Sequence, residues 1–421
     1  MKQYFFRLLA DLRFAISILL VLALTSIIGT LIEQDQPIET YKLNYPLTNK
    51  VFGILSWDII IKFGLDHVYK TWWFLLLTFL FGISLLACTF LQQLPSLKIA
   101  RRCQFFRTTK QFNKLKISKQ VPHTNLSRLL FRIKETQYSI FQQKNIVYCY
   151  KGLIGRFAPI IVHFSMIIIL IGAILGSLAG FKAQEIVPKT ELFHTQNILS
   201  TGQITVIPKT SIRVNDFWII YTKQKTIAQF YSNISILDNI GTEIDTKTIY
   251  VNLPVRYKGI YYYQTDWNLL GLRIKANDLS LLQYPLVNIS NQRDKIWLSW
   301  IPTNSKLIDG FSILINSLQG YCSIYDKMGR FLGNLEMNER ENVSSLISLI
   351  DIVSSTGLQI KMDPGIPIIY VGFGCLMISV GVSYITYSQI WIVQDKSKIF
   401  IGGNTTRAKF DFELEFFKLT K

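Results

Sequence analysis

From Ala158 to Gly180 the chain carries no charged side chain. A run of about 20 apolar residues is what a helix needs to cross a bilayer. Inside it sits a single titratable group, His163. At about 1.5 Å rise per residue the ring lies roughly 8 Å in from the Ala158 end. An unsatisfied polar group at that depth costs on the order of several kcal/mol, so an intramembrane histidine is a functional hypothesis by default. Two readings follow from the residues: a ligand to a metal or haem, or a hydrogen bond to a neighbouring helix. Gly172, Gly176 and Gly180 recur at intervals of four, a small-residue stripe that admits close approach of another helix. The stripe is expected to dock a partner that supplies the other half of the site.

The other chemistry-bearing residues are few. Five cysteines (Cys88, Cys103, Cys149, Cys322, Cys375) form neither a CxxC nor a zinc-ligand spacing, which excludes a redox dithiol and argues against a disulfide framework. His67, His123, His163 and His194 are the only histidines, so any haem or metal chemistry uses these or none. No phosphate-binding loop, nucleophile elbow or internal repeat occurs. A mean hydropathy of +0.27 with 13% aromatic residues sets the chain apart from disordered and ordinary soluble proteins.

Taken in order, residues 1–32 are an N-terminal segment and a first span that runs on past any signal-peptide cleavage pattern. Residues 33–71 form a nearly neutral loop. Residues 72–91 are a second span headed by Trp72 and Trp73, whose amphipathic rings favour the interface. Residues 92–157 then hold fourteen basic side chains against one acid, Glu135. A basic block between two spans is the positive-inside signal rather than a nucleic-acid site. Within it Asn125 and the following LSRLLFRIKET read as a capped amphipathic helix lying on an anionic leaflet. Residues 158–180 are the third span, with His163 in its inner half.

Residues 181–365 stay on the opposite side from the basic block. Stretches such as ITVIPKTSIRVNDFWIIYT and TKTIYVNLPVRYKGIYYYQTDW alternate polar with β-branched or aromatic residues, which predicts a β sandwich or partly open barrel. Residues 366–387 are a fourth span, with Asp363 as its cap, and residues 388–421 a tail on the inner side, with a hairpin around Gly402-Gly403-Asn404. The expected fold is therefore an integral membrane protein of four transmembrane helices, with a large β-rich domain between the third and fourth.

Several segments carry a resemblance. They are Gly29-Thr-Leu-Ile-Glu-Gln34, Gly64-Leu-Asp-His-Val-Tyr-Lys-Thr-Trp-Trp-Phe74, the helix of His163, Val251-Asn-Leu-Pro-Val-Arg-Tyr-Lys-Gly259, Tyr263-Gln-Thr-Asp-Trp267 and Gly357-Leu-Gln-Ile-Lys-Met-Asp-Pro-Gly365. In this order they resemble the ResB/CcsB family, the membrane subunit of the system II cytochrome c assembly machinery, in its plastid form. The resemblance implies haem attachment to apocytochromes c, cytochrome f and a soluble lumenal c-type cytochrome among them. It implies a thylakoid location with both termini stromal and the β domain lumenal, and a separate partner, CcsA. It also implies that haem b passes through as the substrate being delivered, with His163 an axial ligand of its iron. His67 either receives haem on the outer side or is an interfacial polar residue; His194 and His123 read as surface and loop residues. On this reading the chain is at most one subunit of a haem lyase and not catalytic alone. A membrane b-type electron carrier and a β-domain receptor are the alternatives; a carrier generally needs paired histidines, and only one lies in a span.

Overall fold

The computed structural model describes all residues except 1, 49, 51–54, 123–125, 208, 224–225, 239, 277–279, 290–294, 304–307, 317, 319–321, 336–346, 396–397 and 421. His123 and Asn125 therefore lie outside the described residues. The chain divides into two compact units, Met1–Ser177 with Pro364–Lys421, and Leu178–Asp363.

In the first unit the uncharged runs become helices, which satisfy their own backbone groups without water. Among the described residues four are long and apolar enough to cross a membrane: Leu12–Leu31, Trp72–Arg101, Ile154–Ala179 and Ile366–Ser383. The Asp11 carboxylate caps the first by accepting from Arg13 N at 3.1 Å. The second is interrupted: Trp72–Cys88 and Leu94–Arg101 are α-helical, and Thr89–Gln93 between them is a π turn. Pro95, with no N–H and a ring that crowds the preceding turn, sits just beyond the widened segment. The fourth span starts with Gly365 at its cap and no side-chain cap bond, while Asp363 lies 4.0 Å from Lys361.

The glycine stripe has an occupant within the chain itself. A Cβ on Gly172 would stand 2.7 Å from Ile369 Cγ1, and one on Gly365 would stand 2.0 Å from the Gly172 carbonyl oxygen. Further along, a Cβ on Gly372 would meet Ile169 Cγ1 at 2.6 Å. The third and fourth spans thus touch backbone to backbone through small residues. This corrects the expectation that the stripe docks a partner.

The loop after the first span is tied down by one side chain. Gln34 Nε2 donates to the carbonyls of Ile32 and Leu65 at 2.8 and 2.9 Å, and its Oε1 accepts from Val68 N at 2.9 Å. The Tyr41 hydroxyl, buried beside it, donates to Glu33 O at 2.5 Å. Two of the sequence segments that carried the resemblance are here joined to each other.

The basic segment and the tail fold together. Strands Ile117–Pro122, Lys398–Thr405, Ser388–Gln394, Ile146–Lys151 and Ser139–Gln143 form one antiparallel sheet in that spatial order. The amphipathic helix, Leu126–Glu135, lays Leu129 and Ile133 on this sheet beside Phe412 and Phe416 of the last helix, Lys409–Leu419. Its apolar face is thus buried in protein, which corrects its assignment to a lipid surface. The tail hairpin also differs from expectation: Gly402 and Gly403 lie within the strand, where added Cβ atoms would meet Leu115 at 2.6 Å and Phe412 at 2.4 Å. Glycine is needed there for packing rather than for a turn.

The second unit is β throughout its described elements. Ile260–Ala276 pairs antiparallel with Ile347–Met362 over almost its whole length, forming a ribbon long enough to serve two cores. One end, with Tyr262, Leu358 and Ile360, packs on the sheet that contains Ser211–Tyr221, Ile227–Leu237 and Glu243–Tyr250. The other end, with Leu272, Ile274 and Ile352, packs on Trp297, Ile313 and Ile324 of a five-stranded sheet. Bulges between Gln264 and Asp266 and between Leu269 and Gly271 shift the alternation, so Tyr262, Trp267, Leu269 and Leu272 all bury although their spacing is not strictly even. At the junction Gln264, buried, accepts from the hydroxyls of Ser232 and Thr356 and donates to Asp266 O at 2.9 Å.

Candidate functional site

His163 stands on the third span, half-buried, with its Nδ1 3.0 Å from Thr89 Oγ1. Thr89 is the first residue of the π turn in the second span. Its hydroxyl also lies 2.7 Å from the carbonyl oxygen of Leu85. A threonine hydroxyl has one proton, and a carbonyl can only accept. The Thr89 proton therefore goes to Leu85, and its oxygen accepts from His163 Nδ1–H. A neutral ring protonated at Nδ1 carries its lone pair on Nε2, the arrangement of a metal-ligating histidine whose other nitrogen is held by an oriented acceptor. The donor set fits an iron ligand. Further along the same helix, Met166, Ile167 and Leu170 pack on Ile18, Leu22, Phe81 and Leu85.

His67 lies at the far end of the second span. It precedes a helix that begins at Trp72, whereas His163 meets the same helix at Thr89. About 25 Å of helix separates the two histidines. That separation is too long for both rings to hold one metal atom. His67 Nδ1 is 2.9 Å from Asp66 Oδ2, and the other carboxylate oxygen, Oδ1, is buried with no hydrogen-bond partner. This carboxylate–histidine pair also directs a lone pair to Nε2 when the ring is neutral. The imidazole is 45% exposed, so a ligand can reach it.

His194 is an exposed residue of the β unit with Nδ1 3.2 Å from Ser211 Oγ. Among the described residues no three His, Cys, Asp or Glu side chains gather as a metal site. Among the described residues His163 is the one histidine within a span, so iron held there would take no second imidazole from these helices. The residues that sequence reasoning passed over are Thr89, hidden as one more tolerated hydroxyl in an apolar run, and Arg156, counted only as one of many basic side chains. The signal for the first was Pro95 six residues downstream, a reason for the helix to widen where Thr89 stands.

Four helices long and apolar enough to cross a membrane, a β-rich unit inserted between the third and fourth, and one half-buried histidine on the third define a class of integral membrane protein. The chain belongs to the ResB-like family, whose sequence pattern matches residues 12–308 and 316–417. It is 71% identical over its whole length to the cytochrome c biogenesis protein Ccs1 of Thalassiosira pseudonana, which it also covers completely. It is 45% identical to the Ccs1 of Porphyra purpurea, over 100% of this chain and 96% of that one. To the cytochrome c biogenesis protein CcsB of Trichormus variabilis it is 45% identical, over 99% and 91%.

Proposed function

We propose that this chain serves the biogenesis of c-type cytochromes at the step of haem attachment. In this reading it is the haem-handling and apocytochrome-holding subunit of a synthetase whose other member is CcsA. Haem b enters as substrate, and the iron supplies the acceptor orbital for an imidazole. The observation that carries the reading is the orientation of His163: Thr89 holds Nδ1–H, which leaves the lone pair on Nε2 of a half-buried ring. The names of the relatives and the family membership support the pathway.

The division of labour follows from what the residues can do. His163 holds and orients iron; the spans exclude water from it. The β unit offers an extended surface for a peptide segment. Thioether formation needs reduced thiols, and the five cysteines of this chain supply no paired dithiol, so reduction comes from another protein. In this reading the basic segment and tail face the stroma, the side the positive-inside rule favours for them, and the β unit faces the thylakoid lumen.

The test is functional replacement. A strain lacking this chain is expected to lose haem-stained cytochrome f and the soluble c-type cytochrome of the lumen. Wild type restores both, and His163→Ala restores neither at ordinary haem supply. Normal c-type cytochromes in the strain without the chain would refute the assignment.

A further inference from the structure

Where the third span emerges from the basic segment, a cavity of about 320 Å³ is lined by Gln92, Ser96, Gln104, Arg156, Tyr387 and Gln389, among others. Its single charge is Arg156. The Nη1 of Arg156 donates to Ser96 Oγ at 3.3 Å, and the guanidinium lies 5.3 Å from the centre of the Tyr387 ring. Its Nε is buried and has no hydrogen-bond partner. Among the described residues no carboxylate pairs with it.

The neighbours do not answer that need. Gln389 Nε2 donates to the Tyr148 hydroxyl at 2.7 Å, the Tyr148 and Tyr387 hydroxyls lie 3.1 Å apart, and Tyr387 donates to the Ala100 carbonyl at 3.0 Å. This chain of hydrogen bonds runs past Arg156 and is complete without it. A buried guanidinium N–H left open is costly, and the planar fork of arginine is matched to the two oxygens of a carboxylate.

Position supplies the second line of argument. Arg156 and His163 are seven residues apart on one helix, hence on one face and about 10 Å apart along the axis. On the facing helix, Gln92 of the cavity and Thr89 of the histidine pair belong to the same π turn. The same two helical segments therefore carry an oriented imidazole and, two turns away, a guanidinium whose Nε–H has no partner. An iron porphyrin has this layout, with a metal at its centre and two carboxylate arms on one edge. The cavity suits such an arm, since 320 Å³ is at the small end of ligand pockets and a whole tetrapyrrole needs more.

We propose that the Arg156 cavity is a carboxylate-binding site that takes a propionate of the haem whose iron His163 holds. The proposal rests on the haem-handling reading of His163 but concerns a separate group of atoms. It fixes the rotation of the porphyrin in its plane, so that the vinyl edge, where thioethers form, points away from the basic side.

The test titrates the purified full-length chain in detergent with four probes: haem, metal-free protoporphyrin and the dimethyl ester of each. Wild type is expected to bind haem and metal-free protoporphyrin about tenfold more tightly than the ester forms of each. Arg156→Gln is expected to lose that preference and to bind both free acids about tenfold more weakly, with the position of the Soret band unchanged. Arg156→Lys, which keeps the charge but not the fork, falls between, and the intact Soret band shows that the variants remain folded. Equal affinity of wild type for acid and ester would overturn the site. So would a loss of co-purifying anionic phospholipid in Arg156→Gln with porphyrin binding unchanged, which would make it a lipid phosphate site. If metal-free protoporphyrin binds through Arg156 but no Soret band depends on His163, the iron-ligand reading fails and the carboxylate site stands.

Discussion

Thr89 Oγ1 lies 3.0 Å from His163 Nδ1 and 2.7 Å from the carbonyl oxygen of Leu85. The hydroxyl is thereby committed as donor to one and acceptor to the other. Removing it removes the reason for the ring to keep its proton on Nδ1. Loss of such outer partners typically weakens metal binding by about 10–100-fold. Thr89→Val is expected to lower haem affinity in that range, and Thr89→Ser to stay near wild type, both read by Soret titration. Equal affinity in all three would show that the hydroxyl does not set the tautomer.

The contact between the third and fourth spans leaves no room for a methyl group. Gly365→Ala would put a Cβ 2.0 Å from the Gly172 carbonyl oxygen, so the helices must separate. Overpacking of this kind costs about 1–3 kcal/mol. A lower Tm in detergent is expected for Gly365→Ala and Gly172→Ala. Gly374→Ala, with nothing within 4 Å of the added atom, is expected to match wild type or exceed it slightly.

Gln34 satisfies two carbonyls and one N–H with a single side chain. Gln34→Leu keeps the bulk and leaves the buried Val68 N–H unpaired, a loss of about 1–3 kcal/mol. Limited proteolysis is expected to cut the 33–71 loop faster in this variant, with the 178–363 unit unaffected.

Burial pushes the thiols of Cys149 and Cys322 up to about 12. At pH 8 only about one in ten thousand would be thiolate, the reactive form. Cys103 is exposed. A water-soluble maleimide is expected to label Cys103 in the folded protein, and to reach Cys149 and Cys322 only after denaturation. Their rapid labelling in the native state would contradict the packing of both β regions.

The spans were legible because the bilayer imposes length and composition on contiguous residues, as Ala158 to Gly180 illustrates. The β character of the unit before Pro364 was legible from alternation, though the bulges after Gln264 and Leu269 were not, since a phase shift looks like noise in one strand. What escaped is non-local. Tyr148 pairs with Trp391 across more than half the chain, so the amphipathic pattern of Leu126–Glu135 gave no hint of which apolar surface it covers. The glycines told that a helix approaches closely, but not which one. His163 was visible as an anomaly in an apolar run; its orientation depends on Thr89, which only folding brings to it.

The central claim is that His163 holds haem iron through Nε2. The most direct measurement is the absorbance spectrum of haem bound to the chain purified together with CcsA, for wild type and His163→Ala, with and without added imidazole. The account predicts a Soret band in wild type, its loss in His163→Ala and its return with imidazole, which replaces the missing ring. An unchanged spectrum in His163→Ala, with the complex intact, would contradict the account and leave this chain as a scaffold for the apocytochrome.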